Sequence, residues 1–366
     1  MVGKTSLKII WYAALGTGLS GGDNILIELA RRWKQFDIEI YTGVEGIRAG
    51  FNKELFNVKY DVCPSYTPFR YIERLLWSLI TAFRIKDGIV YTSSDFFHDI
   101  IVGWICKKRG LKWIAGYYLI APNPFKKTHY PFIRGFGYWL IQRLTLRMAQ
   151  SADVVYVTSE PDRKYFKNSV VVKGGVDMSK VGVRKDKIWD CVFMGRLHYQ
   201  KGILELIDIW RLVVNVIPSA KLLIVGSGAL YNKMVAHIQN HNLQSNIDYI
   251  EFADDEKKQY IFSHSKVILH PATYDSGGMS CAEGMAWGLP AVGFKLPVFD
   301  TYYPSGLIQA NDKQDFAEQI IKLMTNSMWY THVSDQAKAL IKEYWDWNVR
   351  QKEIYYETGF GNWVRG

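Results

Sequence analysis

Two segments of this sequence carry residues whose types and spacing suit chemistry on a charged ligand. In Gly195-Arg196-Leu197-His198-Tyr199-Gln200-Lys201-Gly202, an arginine and a lysine flank a short turn between two glycines, directly after an apolar run. Arginine supplies planar bidentate donors and lysine a point charge, so the pair suits a diphosphate. Two solvated surface cations are the alternative reading. The second segment is Asp275-Ser276-Gly277-Gly278-Met279-Ser280-Cys281-Ala282-Glu283, closed by Gly288-Leu289-Pro290. A glycine pair opening a helix presents free backbone N–H groups and the positive helix end to an anion. Glu283 follows within the helix, where a carboxylate can accept from a ribose diol or simply complement the helix dipole.

Turns of this kind need strands to hold them. Lys8–Ala14 reads as a buried strand, followed by the flexible turn Gly16–Gly22 and a helix capped by Asp23 with Ile25, Leu29, Trp33 and Phe36 on one side. Short strands recur at Ile38–Tyr41, Gly88–Thr92, Trp113–Tyr118, Asp153–Thr158 and Val170–Lys173, with helical stretches such as Tyr138–Met148 between them. A second series runs Asp190–Gly195, Lys221–Val225, Ile247–Phe252, Val267–His270 and Pro290–Phe294. The pattern predicts an α/β protein of two doubly wound, Rossmann-like domains facing across a cleft. The first spans residues 1–180 and the second 181–344. In such sheets ligands sit outside the carboxyl ends of the strands, where both chemical segments fall.

Composition narrows the classes. With 366 residues, 48% hydrophobic and 22% charged, the chain is globular rather than disordered, collagenous or coiled-coil. Its net charge of +10 points to anionic partners, yet no nucleic-acid-binding motif is present. Cys63, Cys106, Cys191 and Cys281 are scattered without a CxxC pair, so neither a disulfide framework nor a metal site is expected, in keeping with a reducing compartment. No run reaches the ~18–20 apolar residues of a spanning helix. Basic residues interleave with aromatic ones at Thr67–Lys86 and Lys126–Arg147. That mixture suits helices lying on an anionic membrane surface, or else packed amphipathic helices with solvated arginines.

The two chemical segments, with Gly226-Ser227-Gly228 between them, resemble the family 4 glycosyltransferases of GT-B fold, whose signature is an acid, seven residues, a glutamate, then a helix ending Gly-x-Pro. The first half agrees at Ser151–Glu160 and Val172–Asp177, and Tyr344–Asn348 resembles the aromatic start of the family's closing C-terminal helix, which implies that 345–366 packs back on the first domain. The resemblance implies a retaining transfer from a nucleotide-diphosphate sugar to a glycan or lipid-linked acceptor, with no cofactor and no metal. Gly195, Arg196 and Lys201 would hold the donor diphosphate. Backbone amides of Gly277, Gly278, Met279 and Ser280 would touch phosphate and sugar, and Glu283 the ribose. Asp275 stands where relatives carry the glutamate that contacts the migrating sugar. Gly21 and Gly22 would belong to the glycine loop of the first domain. Relatives often place a histidine after the strand Trp113–Gly116, where this chain has Tyr117-Tyr118; His98, Asp95 and Tyr117 are the candidates to replace it. A helix-start histidine in a structural bond is the other reading of His98. The scattered thiols and the lack of a spanning run predict a cytoplasmic protein, and the charge with the basic–aromatic stretches predicts reversible attachment to the cytoplasmic membrane face. An epimerase of the same fold and a catalytically silent nucleotide-sugar or membrane-binding partner are the competing functions.

Overall fold

The computed structural model describes residues 4–12, 21–43, 46, 57–60, 70–121, 123–125, 132–275 and 277–363. The chain forms two compact units, Met1–Gly174 with Gln351–Gly366 and Gly175–Arg350. The boundary expected after residue 180 therefore lies inside the second unit. The closing helix Trp347–Thr358 clusters with the first unit from Gln351 onward. Residues 13–20 of the first glycine turn and Cys63 fall outside the described residues.

In the first unit seven strands form one sheet: β1 (Thr5–Trp11), β2 (Phe36–Thr42), β3 (Asn57–Tyr60), β4 (Ile89–Thr92), β5 (Lys112–Tyr117), β6 (Val154–Val157) and β7 (Ser169–Val171). All pairings are parallel, in the order β3-β2-β1-β4-β5-β6-β7. A parallel sheet is covered on both faces, which is why β1 and β4 read as continuous apolar runs. Lys8 is the exception; its buried ammonium meets Glu39, its register partner on β2, at 3.0 Å.

The second unit holds β8 (Trp189–Met194), β9 (Leu222–Val225), β10 (Ile247–Ile250), β11 (Ser265–His270), β12 (Ala291–Phe294) and β13 (Leu307–Ala310), in the parallel order β10-β9-β8-β11-β12-β13. Alternate residues feed opposite faces. Cys191, Phe193, Leu222 and Ile224 pack under the helices Ile203–Val216 and Lys313–Thr325. Val192, Leu223 and Ile268 pack under Met279–Ala286 and Ser327–Leu340. Strand order reverses between β8 and β11, and at this switch point the loops after both strands diverge to opposite faces and leave a crevice.

Candidate active site

Both chemical segments sit at that switch point. The loop after β8 runs to the helix Ile203–Val216, and the loop after β11 runs to the helix Met279–Ala286. The backbones of the two loops are joined: Thr273 N–H donates to the Gln200 carbonyl at 3.1 Å, and Gln200 Nε2 donates to the Tyr274 carbonyl at 3.1 Å. Gly202 makes the approach feasible. Its φ is +65°, and a Cβ there would lie 1.8 Å from the Pro271 carbonyl oxygen, so any side chain would drive the loops apart.

Asp275 is the centre of this arrangement. Its Oδ2 receives the Lys201 ammonium and, at 2.8 Å, His270 Nε2 from the last residue of β11. Its Oδ1 accepts from the Gly277 and Gly278 amides at 3.1 Å each. From the other side, Tyr303 donates to the carbonyls of Gly277 and Gly278 at 2.7 and 2.8 Å. Burial disfavours a charged carboxylate here, but the hydrogen bond and charge of His270, with the charge of Lys201, outweigh it and hold Asp275 well below the usual carboxylate range. Asp275 thus anchors the loop that opens the helix, and its side chain is only 7% exposed.

This changes the expected set of phosphate donors. The Gly277 and Gly278 amides are taken by Asp275, so among the described residues the open amides of the helix start are those of Met279 and Ser280. Gly278, with φ of +61°, turns the chain into the helix. Arg196 is exposed, and its guanidinium has no hydrogen bond or ion pair to the described residues. Gly195 is fixed by its N–H donating to the Val225 carbonyl at 3.0 Å. Glu283 projects from the second turn of the helix and pairs with Lys258 at 3.3 Å, both side chains about one-third exposed. The structure therefore brings Arg196, Lys201, Asp275, Met279, Ser280 and Glu283 onto two adjoining loops and one helix. It adds His270, Tyr303 and Lys258, which the sequence reading did not single out.

The first-unit candidates cluster around the ends of β1, β4 and β5. Gly21 and Gly22 open the helix Gly21–Arg32, with Gly22 against the Tyr118 ring. His98 begins the helix Phe97–Lys108 and is buried; burial, with the charge of Arg74, pushes its pKa down to about 3, so it is a neutral imidazole at physiological pH. Beside it, fully buried Asp99 accepts from the Tyr12 amide at 2.9 Å and from Ser94 Oγ at 2.6 Å, and burial lifts its pKa to about 7. Asp95 is buried too, with Oδ2 accepting from Tyr138 Oη at 2.7 Å and Gln142 Nε2 at 2.6 Å; burial raises its pKa against those bonds. Tyr117, expected as a candidate sugar contact, is corrected: the pleat of β5 turns its ring inward, fully buried and 5.1 Å from Phe166, while Tyr118 is the partly exposed member of the pair.

Comparison with known proteins agrees with this geometry. Residues 177–342, nearly all of the second unit, match the family described as glycosyl transferases group 1. The chain is 23% identical over 319 residues to an uncharacterized glycosyltransferase of Methanocaldococcus jannaschii, covering 80% of this chain and 81% of that one. It is 24% identical over 200 residues to the poly(glycerol-phosphate) alpha-glucosyltransferase of Bacillus subtilis, covering 53% of this chain but 29% of that protein. Among solved structures it is similar to sucrose-phosphate synthase of Thermosynechococcus elongatus, with a TM-score of 0.79 at 17% identity over 98% of this chain and 100% of that one. It is also similar to Anabaena HepE in complex with UDP and glucose, with a TM-score of 0.76 at 14% identity over 96% and 98%. Residues 177–342 of the second unit thus match the group 1 glycosyl transferases, and the chain as a whole has the GT-B fold of glycosyltransferases.

Proposed function

We propose that this glycosyltransferase moves a hexosyl or N-acetylhexosaminyl group from a nucleotide-diphosphate sugar, with retention of configuration and without a metal ion, to a lipid-linked or membrane-proximal glycan acceptor at an anionic membrane. The observation that carries the donor half is the cationic loop pair at the second switch point, with Lys201 held on Asp275 beside an open helix start. As the bond from sugar to diphosphate breaks, negative charge grows on the leaving phosphate. Arg196, Lys201 and the Met279 and Ser280 amides are the groups aimed at it, and preorganised donors of this kind act without reorganising at the moment of reaction. Glu283, balanced by Lys258, suits the ribose hydroxyls. A uridine diphosphate sugar is the first donor to try, because the Anabaena structure is a complex with UDP and glucose. A panel of nucleotide sugars scored by thermal shift tests the donor; a ligand at about 100 times its Kd adds about 2.7 kcal/mol of stability. Transfer is expected to proceed at an unchanged rate after dialysis against a chelator. An absolute requirement for magnesium or manganese would remove the metal-free mechanism.

The acceptor half rests on two helices of the first unit that are turned inside out. On Arg70–Arg84 the interior positions are Arg74, Ser78, Thr81 and Ala82, whereas Ile72, Leu76, Ile80 and Phe83 are exposed. On Phe132–Ala149 the buried residues are Gln142, Thr145 and Ala149, and Leu140, Ile141 and Leu144 face outward beside Arg143 and Arg147. Two of these inward polar groups are hydrogen-bonded: Thr81 Oγ1 meets Tyr12 Oη at 2.8 Å, and Gln142 Oε1 accepts from the Ala121 amide at 2.7 Å. Among the described residues no helix is long and apolar enough to cross a membrane. An exposed apolar stripe rimmed by Arg84, Lys86, Arg143 and Arg147 suits an interface instead, each cation near an anionic surface contributing about 1 kcal/mol. Arg74, expected among these cations, is corrected: it lies 1% exposed beside His98 and Asp99. Residues 67–70 and 126–134 of the two stretches lie outside the described side chains. Co-sedimentation with vesicles containing anionic lipid is expected, weak on neutral vesicles and reversed by salt. Replacing Leu76 and Phe83 with serine should abolish it and leave donor affinity unchanged. Indifference to anionic vesicles at low salt would make the acceptor a soluble one.

A further inference from the structure

We infer that Asp208, His237 and His241 form a binding site for a divalent transition-metal ion of zinc type on the outer helices of the second unit. His237 and His241 lie one helical turn apart at the end of Tyr231–Asn240, so their rings share one face, with centroids 4.8 Å apart and planes perpendicular. Asp208 reaches them from the adjacent helix Ile203–Val216. Its Oδ1 is 2.8 Å from His237 Nε2 and 3.5 Å from His241 Nε2. All three donor atoms fall within 4.8 Å of one another. Bonds of about 2.0–2.1 Å to a tetrahedral zinc put neighbouring donors roughly 3.3 Å apart, close to the two separations from Asp208, so an ion can take the place of the hydrogen bond between His237 and Asp208 once the two imidazoles adjust around it.

The donor set selects the class of ion. Two imidazoles and one carboxylate suit zinc, cobalt or nickel, whereas magnesium and calcium prefer an all-oxygen shell. A supporting contact is already in place: Lys313 donates to the other Asp208 oxygen at 2.5 Å and fixes the carboxylate's orientation. Lys313 begins the helix Lys313–Thr325, so the cluster ties together three helices of one sheet face. The three ligand side chains are 26–33% exposed, which leaves the remaining coordination positions to water and gives the ion an entry path. None of these residues belongs to the donor loops, so the site is one of stabilisation rather than of sugar transfer.

The test is zinc titration of the metal-stripped full chain by calorimetry, paired with thermal unfolding. One equivalent is expected to bind and raise the unfolding temperature, magnesium is expected to do neither, and cobalt should give the visible absorption of a tetrahedral or five-coordinate centre. His237→Ala, His241→Ala and Asp208→Asn should each weaken zinc binding at least about 10-fold while transferase activity stays at the wild-type level, so this result is independent of the donor reading. No saturable uptake by the wild type, or equal zinc affinity in the His237→Ala/His241→Ala variant, would overturn the site and leave a hydrogen-bonded charge network.

Discussion

Asp275→Asn is expected to lower the unfolding free energy of the second unit by about 3–5 kcal/mol, the cost of stripping one partner from a buried ion pair. The carboxylate and the ammonium are 7% and 20% exposed, so water cannot replace the lost charge on the Asp275 side. Asparagine would also direct an NH₂ group at Lys201 or His270, both donors, or at the Gly277 and Gly278 amides. Urea unfolding gives the stability, and nucleotide-sugar affinity should fall with it because the helix start loses its anchor. The effect has a pH signature. Asp275 has a depressed pKa in the fold, so its contribution is complete above the unfolded value of about 3.9 and disappears as pH falls through the folded value. The asparagine variant should lack that component of acid sensitivity. Asp275→Glu keeps the charge for Lys201 and His270 but shifts it by one methylene off the two glycine amides, so a smaller loss is expected. A wild-type urea midpoint for Asp275→Asn would show that the loop is held by other contacts.

Arg196→Ala should leave stability untouched and lower kcat/KM at least about 10-fold. The side chain is exposed and engages none of the described residues, so its removal opens no cavity and strands no partner. A hydrogen bond to a charged group contributes roughly 1.5–3 kcal/mol, which converts to about 10-fold or more in rate when it is made to the departing phosphate. The contrast between the two variants is itself informative. Asp275 acts through architecture and Arg196 through direct contact, so only the first should move the unfolding transition. Near-normal kinetics in a folded Arg196→Ala protein would take the diphosphate clamp out of the mechanism.

The sheets were legible because strands buried on both faces leave unbroken apolar runs, as at Cys191–Met194 and Val267–Leu269. The edge strands β3 and β13 escaped notice: at four residues each, with Asn57, Lys59 and Gln309 among them, they lack that run. The donor loops were visible because arginine, lysine and paired glycines are conspicuous after a strand. His270 was not, since it closes an apolar strand and acquires meaning only when the following turn brings Asp275 back onto it. Lys258 is 25 positions from Glu283 and meets it through helix packing, which no local pattern encodes. Arg74 was read as a surface cation because interleaved arginines and aromatics reveal amphipathicity but not which side faces in. The His237–His241 spacing was present in the sequence, but Asp208 is supplied by another helix.

The inverted helices also reverse the usual map of mutational tolerance. In most helices an exchange of isoleucine for serine empties part of the core and an exchange of serine for alanine costs little. Here Ile72, Leu76 and Leu144 lie outside, so polar replacements remove no packing, and their effect should appear in membrane attachment rather than in folding stability. The inward polar residues are the intolerant ones: losing Gln142 would strand the Ala121 amide and remove one bond to Asp95, and losing Thr81 would remove one bond from the Tyr12 hydroxyl. Sequence drift on these two helices should therefore preserve the small hydroxyls and the amide for folding, and the exposed aliphatics only as long as the surface they meet persists.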